Sequence, residues 1–320
     1  MKKVWILADD RAGNVNQLLG IAEVLDYEYV RKDISYNQYV KLPNFLRDKT
    51  LIGLTKETVQ SLKTTDDYPD IVLSAGRRSF PVARWVQKKS KGKTKIVQLM
   101  NPGMKGFNQT DLIVLPKHDN YQKCKDNVLI VTGTPHRITP TRLSQERAEW
   151  EPVFKNYKHP RLSLIIGGAT KNKPFTLEQA QLLINAVKNL KPESIMVTTS
   201  RRTPKEIVDY LKKELSGDNT FFYTYGSQEK NPYFGLIACA DMIVVTGDSM
   251  SMCSECCATS VPVFIFAPDE MMSEKHKRFH QSLYEDGYAL PLGASVKNVK
   301  GCFNPAMLIA KEIKKRLNDK

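Results

Sequence analysis

The strongest constraint on this chain is the steady recurrence of short, unbroken apolar runs. VWILA, IVLSAG, IVQLM, LIVLP and VLIVTG punctuate the first half, and LSLIIGG, IMVTTS, FFYTYG, MIVVTGD and PVFIFAP the second. Val/Ile/Leu runs without polar alternation are strands buried on both faces. The spans between them are long enough for helices, which predicts α/β architecture with doubly wound parallel sheets. Helical phase is clearest in three spans. Residues 16–25 carry Leu18, Leu19, Ala22 and Leu25 on one face. Residues 176–190 follow the start signal Thr176-Leu177-Glu178-Gln179, and residues 204–215 open on Pro204.

A chain of 320 residues exceeds what one core organises, so two domains are expected. The strand series restarts at Leu162 after the charged stretch LSQERAEWEPVFKNYKHP, which places the expected division near residue 157, giving domains 1–157 and 158–320. No segment approaches the ~20 apolar residues of a membrane span. The opening VWILA is cut short by Asp9, Asp10 and Arg11, so it reads as a strand rather than a signal peptide, and a cytoplasmic protein is expected. Six cysteines without an export signal fit reduced thiols. Cys253 and Cys256 have ligand spacing, but no second pair follows with a plausible loop, so packing in a helix is expected and a metal is not.

The net charge is +14. Residues 1–155 hold 26 Lys+Arg against 17 Asp+Glu, a balance of +9, and residues 156–320 hold 22 against 17, a balance of +5. The densest run is RWVQKKSKGKTK at 84–95. Such fields attract phosphates, nucleic acid or anionic lipid alike. With no nucleic-acid motif beside them, specific nucleic-acid recognition is not expected. A peripheral contact of the basic first domain with an anionic membrane surface is.

Ligands of open parallel sheets lie beyond the carboxyl ends of the strands. Those ends are polar and glycine-rich here: DDRAGNVNQ, AGRRS and KHD in the first half, then GGATKNK, TSRRTP and TGDSMSMCSE. Gly167 and Gly168 offer unobstructed amides to a pyrophosphate, with Lys171 and Lys173 nearby in sequence. Ser200, Arg201 and Arg202 precede a helix, whose N-terminus favours anions. In the loop from Thr246 through Gly247 and Asp248, the hydroxyls of Thr246, Ser249 and Ser251 suit phosphate oxygens. Glu255, about one turn beyond Ser251, can accept two ribose hydroxyl bonds.

The order strand-GDSxSMxSExxxxxxPV resembles the nucleotide-binding half of GT-B glycosyltransferases. More closely, DDRAGNVNQLLGIAEVL, SAGRRS, VQLMNP, PKHD, TTSRRTP and TGDSMSMCSE together resemble the Elm1 family, described as mitochondrial fission proteins in plants and as candidate glycosyltransferases in bacteria. The resemblance runs from residue 4 to about residue 290. It implies a GT-B-like fold of two Rossmann-type domains with parallel sheets facing an interdomain cleft. It also implies a metal-independent transfer of sugar from a nucleoside diphosphate sugar, a substrate rather than a cofactor, to an acceptor that a lipid could carry. The second domain would hold the nucleotide. Gly13, Asn14, Asn16, Gln17, Gly76 and Arg77 would line the acceptor side. Bacterial relatives often carry Gly-His where this chain has Gly13-Asn14, and Asn cannot take a proton at neutral pH. Asp10, His118 and Asp119 are the remaining candidates for the base. A catalytically silent adaptor with the same fold is the alternative expectation.

Overall fold

The structure is a computed structural model and describes residues 2–64, 67–122, 125–170, 173–295 and 299–318. Lys171 and Cys124 therefore lie outside the described residues. The chain forms two compact units: residues 1–137 joined by 305–320, and residues 138–304.

In the first unit, strands β1 (Lys3–Ala8), β2 (Glu28–Asp33), β3 (Ile71–Ala75), β4 (Lys95–Leu99), β5 (Leu112–Pro116) and β6 (Val128–Val131) alternate with helices α1 (Ala12–Leu25), α2 (Asn44–Arg47), α3 (Lys56–Lys63) and α4 (Gly76–Lys89). All strands pair in parallel, in the order β2-β1-β3-β4-β5-β6. Val4 and Ile6 of β1 pack with α1 on one face, while Trp5 and Leu7 pack with Phe80, Val82 and Val86 of α4 on the other. This two-sided burial is what the unbroken apolar runs encode. Edge strand β2 is largely exposed and reads EYVRKD, so it carries no such run.

The second unit contains α5 (Pro140–Phe154), β7 (Arg161–Ile165), α6 (Leu177–Asn189), β8 (Ser194–Thr198), α7 (Lys205–Glu214), β9 (Thr220–Tyr223), α8 (Tyr233–Ala238), β10 (Met242–Thr246), α9 (Met250–Cys256), β11 (Val263–Phe266), α10 (Glu274–Glu285) and β12 (Leu290–Pro291). Its parallel sheet runs β12-β11-β10-β7-β8-β9. Thr176 and Gln179 form a reciprocal capping box at the start of α6, as their spacing predicts. The last helix, α11 (Pro305–Asn318), belongs to the first unit.

The division differs from the one expected near 157, for two physical reasons. The charged stretch before Leu162 is largely helix α5, and its Trp150 and Phe154 are buried with Leu236, Ile237 and Phe221 in the second unit. Ala306, Ile309, Ala310 and Ile313 of α11 return to the core of the first, against Leu18 and Ile21. No helix among the described residues is long and apolar enough to cross a membrane.

Candidate functional site

Each sheet reverses its winding at one place, and the loops at such a switch point converge on a crevice. In the second unit the reversal lies between β7 and β10, so the loops after Ile165 and Thr246 meet there. They are locked together. The Gly167 amide donates to Thr246 Oγ1 at 2.7 Å, and that hydroxyl donates to Asp248 Oδ1 at 2.7 Å. The Gly168 amide donates to Asp248 Oδ2 at 3.0 Å, and Arg202 Nη2 lies 2.6 Å from the same oxygen. Thr203 donates its hydroxyl to the Gly167 carbonyl at 2.5 Å, as does Ser200. Burial pushes the Asp248 carboxyl up, against the pull of the Thr246 hydroxyl, the Arg202 guanidinium and the Gly168 amide.

This network corrects several expectations. The Gly167 and Gly168 amides and the Thr246 and Ser200 hydroxyls already bond within the protein, so they form the floor of the site rather than phosphate ligands. The glycines serve close approach: a Cβ on Gly167 would fall 2.4 Å from the Asp248 carboxylate, and one on Gly168 2.2 Å from the Arg202 carbonyl oxygen. Gly247 makes room for the ring of His280, whose Nε2 lies 2.8 Å from the Gly247 carbonyl. Ser249 caps α9 through the Met252 amide.

The rim is left to the remaining polar groups. Ser251 and Arg202 are half-buried and Arg201 is exposed. Arg201, Ser200, Thr203 and Lys205 line a cavity of about 360 Å3 at the ends of β8 and β9. Glu255 is half-buried and accepts the Tyr233 hydroxyl on Oε2 at 2.5 Å. One carboxylate oxygen is thus engaged within the protein. Burial raises this carboxyl to about 6, against the Tyr233 bond and the charge of Arg142. His276 of α10 is half-buried, hydrogen-bonds the Asp248 backbone, and lies 2.7 Å from Ser273 Oγ through Nδ1. Burial lowers its pKa, opposed by Asp248, so the ring is a neutral donor and acceptor near pH 7. Sequence reasoning missed Tyr233, His276 and His280. The four-residue spacing of the two histidines behind Ser273 was the signal available.

In the first unit the switch point lies between β1 and β3. Asp9, with a side chain only 3% exposed, accepts the Arg11 amide at 3.1 Å, Asn14 Nδ2 at 3.4 Å and Arg78 Nη2 at 3.2 Å. Arg78 also pairs with Asp10 and stacks over the Tyr36 ring at 4.6 Å. Gly76, at φ +75°, faces Asn14. Asp10, Asn14 and Gly76 therefore lie around the Asp9–Arg78 pair, whereas Arg77 is exposed and lines a neighbouring cavity. The Arg78 hydrogen bond lowers the Asp10 pKa, which makes Asp10 a weak base. Gln17 is buried, Gly13 is exposed with open space where a Cβ would stand, and Asn16 lies on the solvent side of α1. His118 is buried beyond β5 with its Nε2 3.7 Å from Asp119. Three strand spacings separate β5 from β1, roughly 14 Å. The pair does not join Asp10.

Among the described residues no group of three or more His, Cys, Asp or Glu could hold a metal ion. Cys253, Cys256 and Cys257 are buried core residues whose thiols are pushed up by burial.

A family model described as mitochondrial fission ELM1 matches residues 12–317, nearly the whole chain. The chain belongs to this ELM1 family. The matched span includes Arg78, both glycines after β7 and the loop from Thr246 to Glu255, whereas Asp9 and Asp10 precede it. The Rickettsia prowazekii protein RP120 is 30% identical over 92% of this chain and 91% of its own length. The mitochondrial fission protein ELM1 of Arabidopsis thaliana is 28% identical over 75% of this chain, which spans 60% of the plant protein. Among solved structures, the UDP-GlcNAc 2-epimerase of Methanocaldococcus jannaschii superposes with a TM-score of 0.53 at 14% identity, covering 98% of this chain and 99% of that one. MurG of Acinetobacter baumannii gives 0.51 at 13%, covering 99% and 90%. The ELM1-family chain thus has the GT-B-type architecture of two Rossmann-like units.

Proposed function

We propose that this ELM1-family chain binds a nucleoside diphosphate sugar in its second unit and transfers the sugar to an acceptor hydroxyl bound by the first. Glu255 carries the reading. It is a half-buried carboxylate oriented by Tyr233, one turn beyond Ser251, on the helix that leaves the switch point. Such a group suits a ribose diol, and the named activity of the Methanocaldococcus neighbour makes a uridine nucleotide the first ligand to try.

In the transfer, the acceptor oxygen bonds the anomeric carbon as the bond to the diphosphate breaks and the diphosphate leaves with the electron pair. Arg201 and Arg202 balance the charge that develops, so no step calls on a metal. Asp10, held ionised by Arg78, first orients the acceptor hydroxyl by accepting its hydrogen bond, and takes its proton late, as the new bond to the anomeric carbon makes it acidic.

Glu255→Gln keeps shape but weakens acceptance from the ribose. Losing one charge-assisted hydrogen bond costs roughly 1.5–3 kcal/mol, so uridine diphosphate should bind this variant about ten- to hundred-fold less tightly. The 2′,3′-dideoxy analogue should bind both proteins alike. Calorimetry on the two proteins with the two ligands decides the matter, and equal affinity of the variant for the ribonucleotide removes Glu255 from the site. The relation to the plant fission protein favours a second reading, an adaptor with a silent site. A wild-type chain that binds no nucleoside diphosphate or nucleotide sugar supports that one instead.

A further inference from the structure

Among the described residues of the first unit, five of the nine large apolar side chains left exposed lie in one short segment, the others being Tyr29, Ile130, Met307 and Leu308. Tyr39, Leu42, Phe45, Leu46 and Ile52 are 54, 38, 66, 55 and 46% exposed, all between β2 and α3. Scattered exposed apolar residues need no explanation, but several carried by one short segment suit a contact surface.

This segment is also built to hold its shape. Arg47 is buried, and its guanidinium donates to the carbonyls of Ile52 at 3.0 Å, Val40 at 3.3 Å and Arg78 at 3.1 Å. Asn44 Nδ2 donates to the carbonyls of Arg77 at 2.9 Å and Pro102 at 3.4 Å. The platform is thereby fastened to the start of α4, at the carboxyl edge of the sheet beside the first-unit switch point. Next to it opens a cavity of about 520 Å3, lined by Pro43, Phe45, Phe80, Pro81, Pro102 and Arg77 among others.

The charge within the apolar stretch is mainly basic. Lys41 and Lys49 are exposed, and Asp48, the single acid of residues 39–52, is paired with Arg84, while the exposed Lys56 just beyond is balanced by its neighbour Glu57. Lysines are depleted from protein–protein interface cores, whereas apolar and aromatic side chains interspersed with lysine suit the headgroup boundary of a bilayer. From this combination we infer that the Tyr39–Ile52 face docks on an anionic lipid bilayer, with Phe45 and Leu46 entering the acyl boundary and Lys41 and Lys49 meeting phosphates.

The basic run at 84–95 is a poorer candidate than its composition suggests. Arg84 is buried against Asp48 and Gln87, and Lys95 pairs with Asp111. Its exposed members, Lys88, Lys89, Lys91 and Lys93, sit at the opposite, amino edge of the strands.

Flotation with phosphatidylcholine vesicles, with and without phosphatidylglycerol, tests the inference. Wild type should float with the anionic vesicles. Phe45→Ser with Leu46→Ser should lower partitioning about ten-fold or more. Lys41→Glu with Lys49→Glu should lower it at low salt, with a smaller effect at high salt. Changing Lys88, Lys89, Lys91 and Lys93 together to Glu should leave it within about two-fold, since the inference places these residues away from the bilayer. In a Phe45→Trp variant, the added indole should shift to the blue when anionic vesicles are supplied. The inference is overturned if wild type binds neither vesicle, if the serine variant binds like wild type, or if only the four-lysine variant loses binding. A blue shift that follows protein concentration without vesicles assigns the face to self-association and overturns it too. Uridine diphosphate titration of the same variants reports separately on the nucleotide site and should be unchanged by all of them.

Discussion

Glu255 and His280 are both held against their own ionisation by burial, in opposite senses. Glu255 is raised from its ordinary 4.5 to about 6, and His280 is lowered from 6.5 to about 4. Between pH 4.5 and 6 the folded chain keeps a proton on Glu255 that the unfolded chain has released. Stability from this residue is therefore lost as pH rises through that window, by roughly 2 kcal/mol at full ionisation. His280 runs the other way: the unfolded chain binds the extra proton, so stability is lost as pH falls from 6.5 towards 4, by roughly 3 kcal/mol. Urea denaturation should then find Glu255→Gln more stable than wild type by about 1–2 kcal/mol at pH 7, with most of the gap closed at pH 4.5. A gap independent of pH would show that Glu255 is not strained by burial. The serine and threonine hydroxyls of the same site were legible in the sequence as polar groups at strand ends. Their direction was not, because a hydroxyl that bonds a ligand and one that bonds a neighbouring loop have the same sequence signature. Thr246 and Ser200 proved to be the second kind.

Elements divide by how much of their burial is continuous. Strands β1, β3 and β7 are buried along both faces and stand out as apolar runs, whereas β2 is an exposed edge strand and β12 has two residues. Helix α5 was concealed because its charged residues outnumber the few aromatic side chains that bury. Helix α11 was concealed differently: its periodicity is readable, but nothing local says that it returns to α1 across the whole second unit. Ile309 of α11 is fully buried in the first-unit core. Ile309→Ala should cost about 2–5 kcal/mol of that unit's stability. Denaturation followed by hydrogen exchange should place the loss in β1, β3 and α1 and leave β7 and β10 protected. Loss of protection in the second-unit strands instead would contradict the assignment of α11.

At the scale of the whole molecule, the order of strands determines where chemistry is concentrated. Each sheet has a single reversal, and polar clusters stand at both: Asp9, Asp10 and Arg78 at one, Asp248, Arg202 and His276 at the other. The apolar runs foretold two parallel sheets, and strand ends foretold most of these loops. Which strands neighbour one another is a non-local matter, so the choice of Arg78 over Arg77 and the exclusion of His118 had to await the fold. The central claim is that the second reversal, with Glu255 beside it, receives a nucleoside diphosphate. Amide hydrogen exchange of the full chain, with and without saturating uridine diphosphate, tests that claim most directly. Slowed exchange should concentrate in residues 199–203 and 246–255, with the strands unchanged. Slowing confined to the first unit, or no change anywhere in the chain, would contradict it.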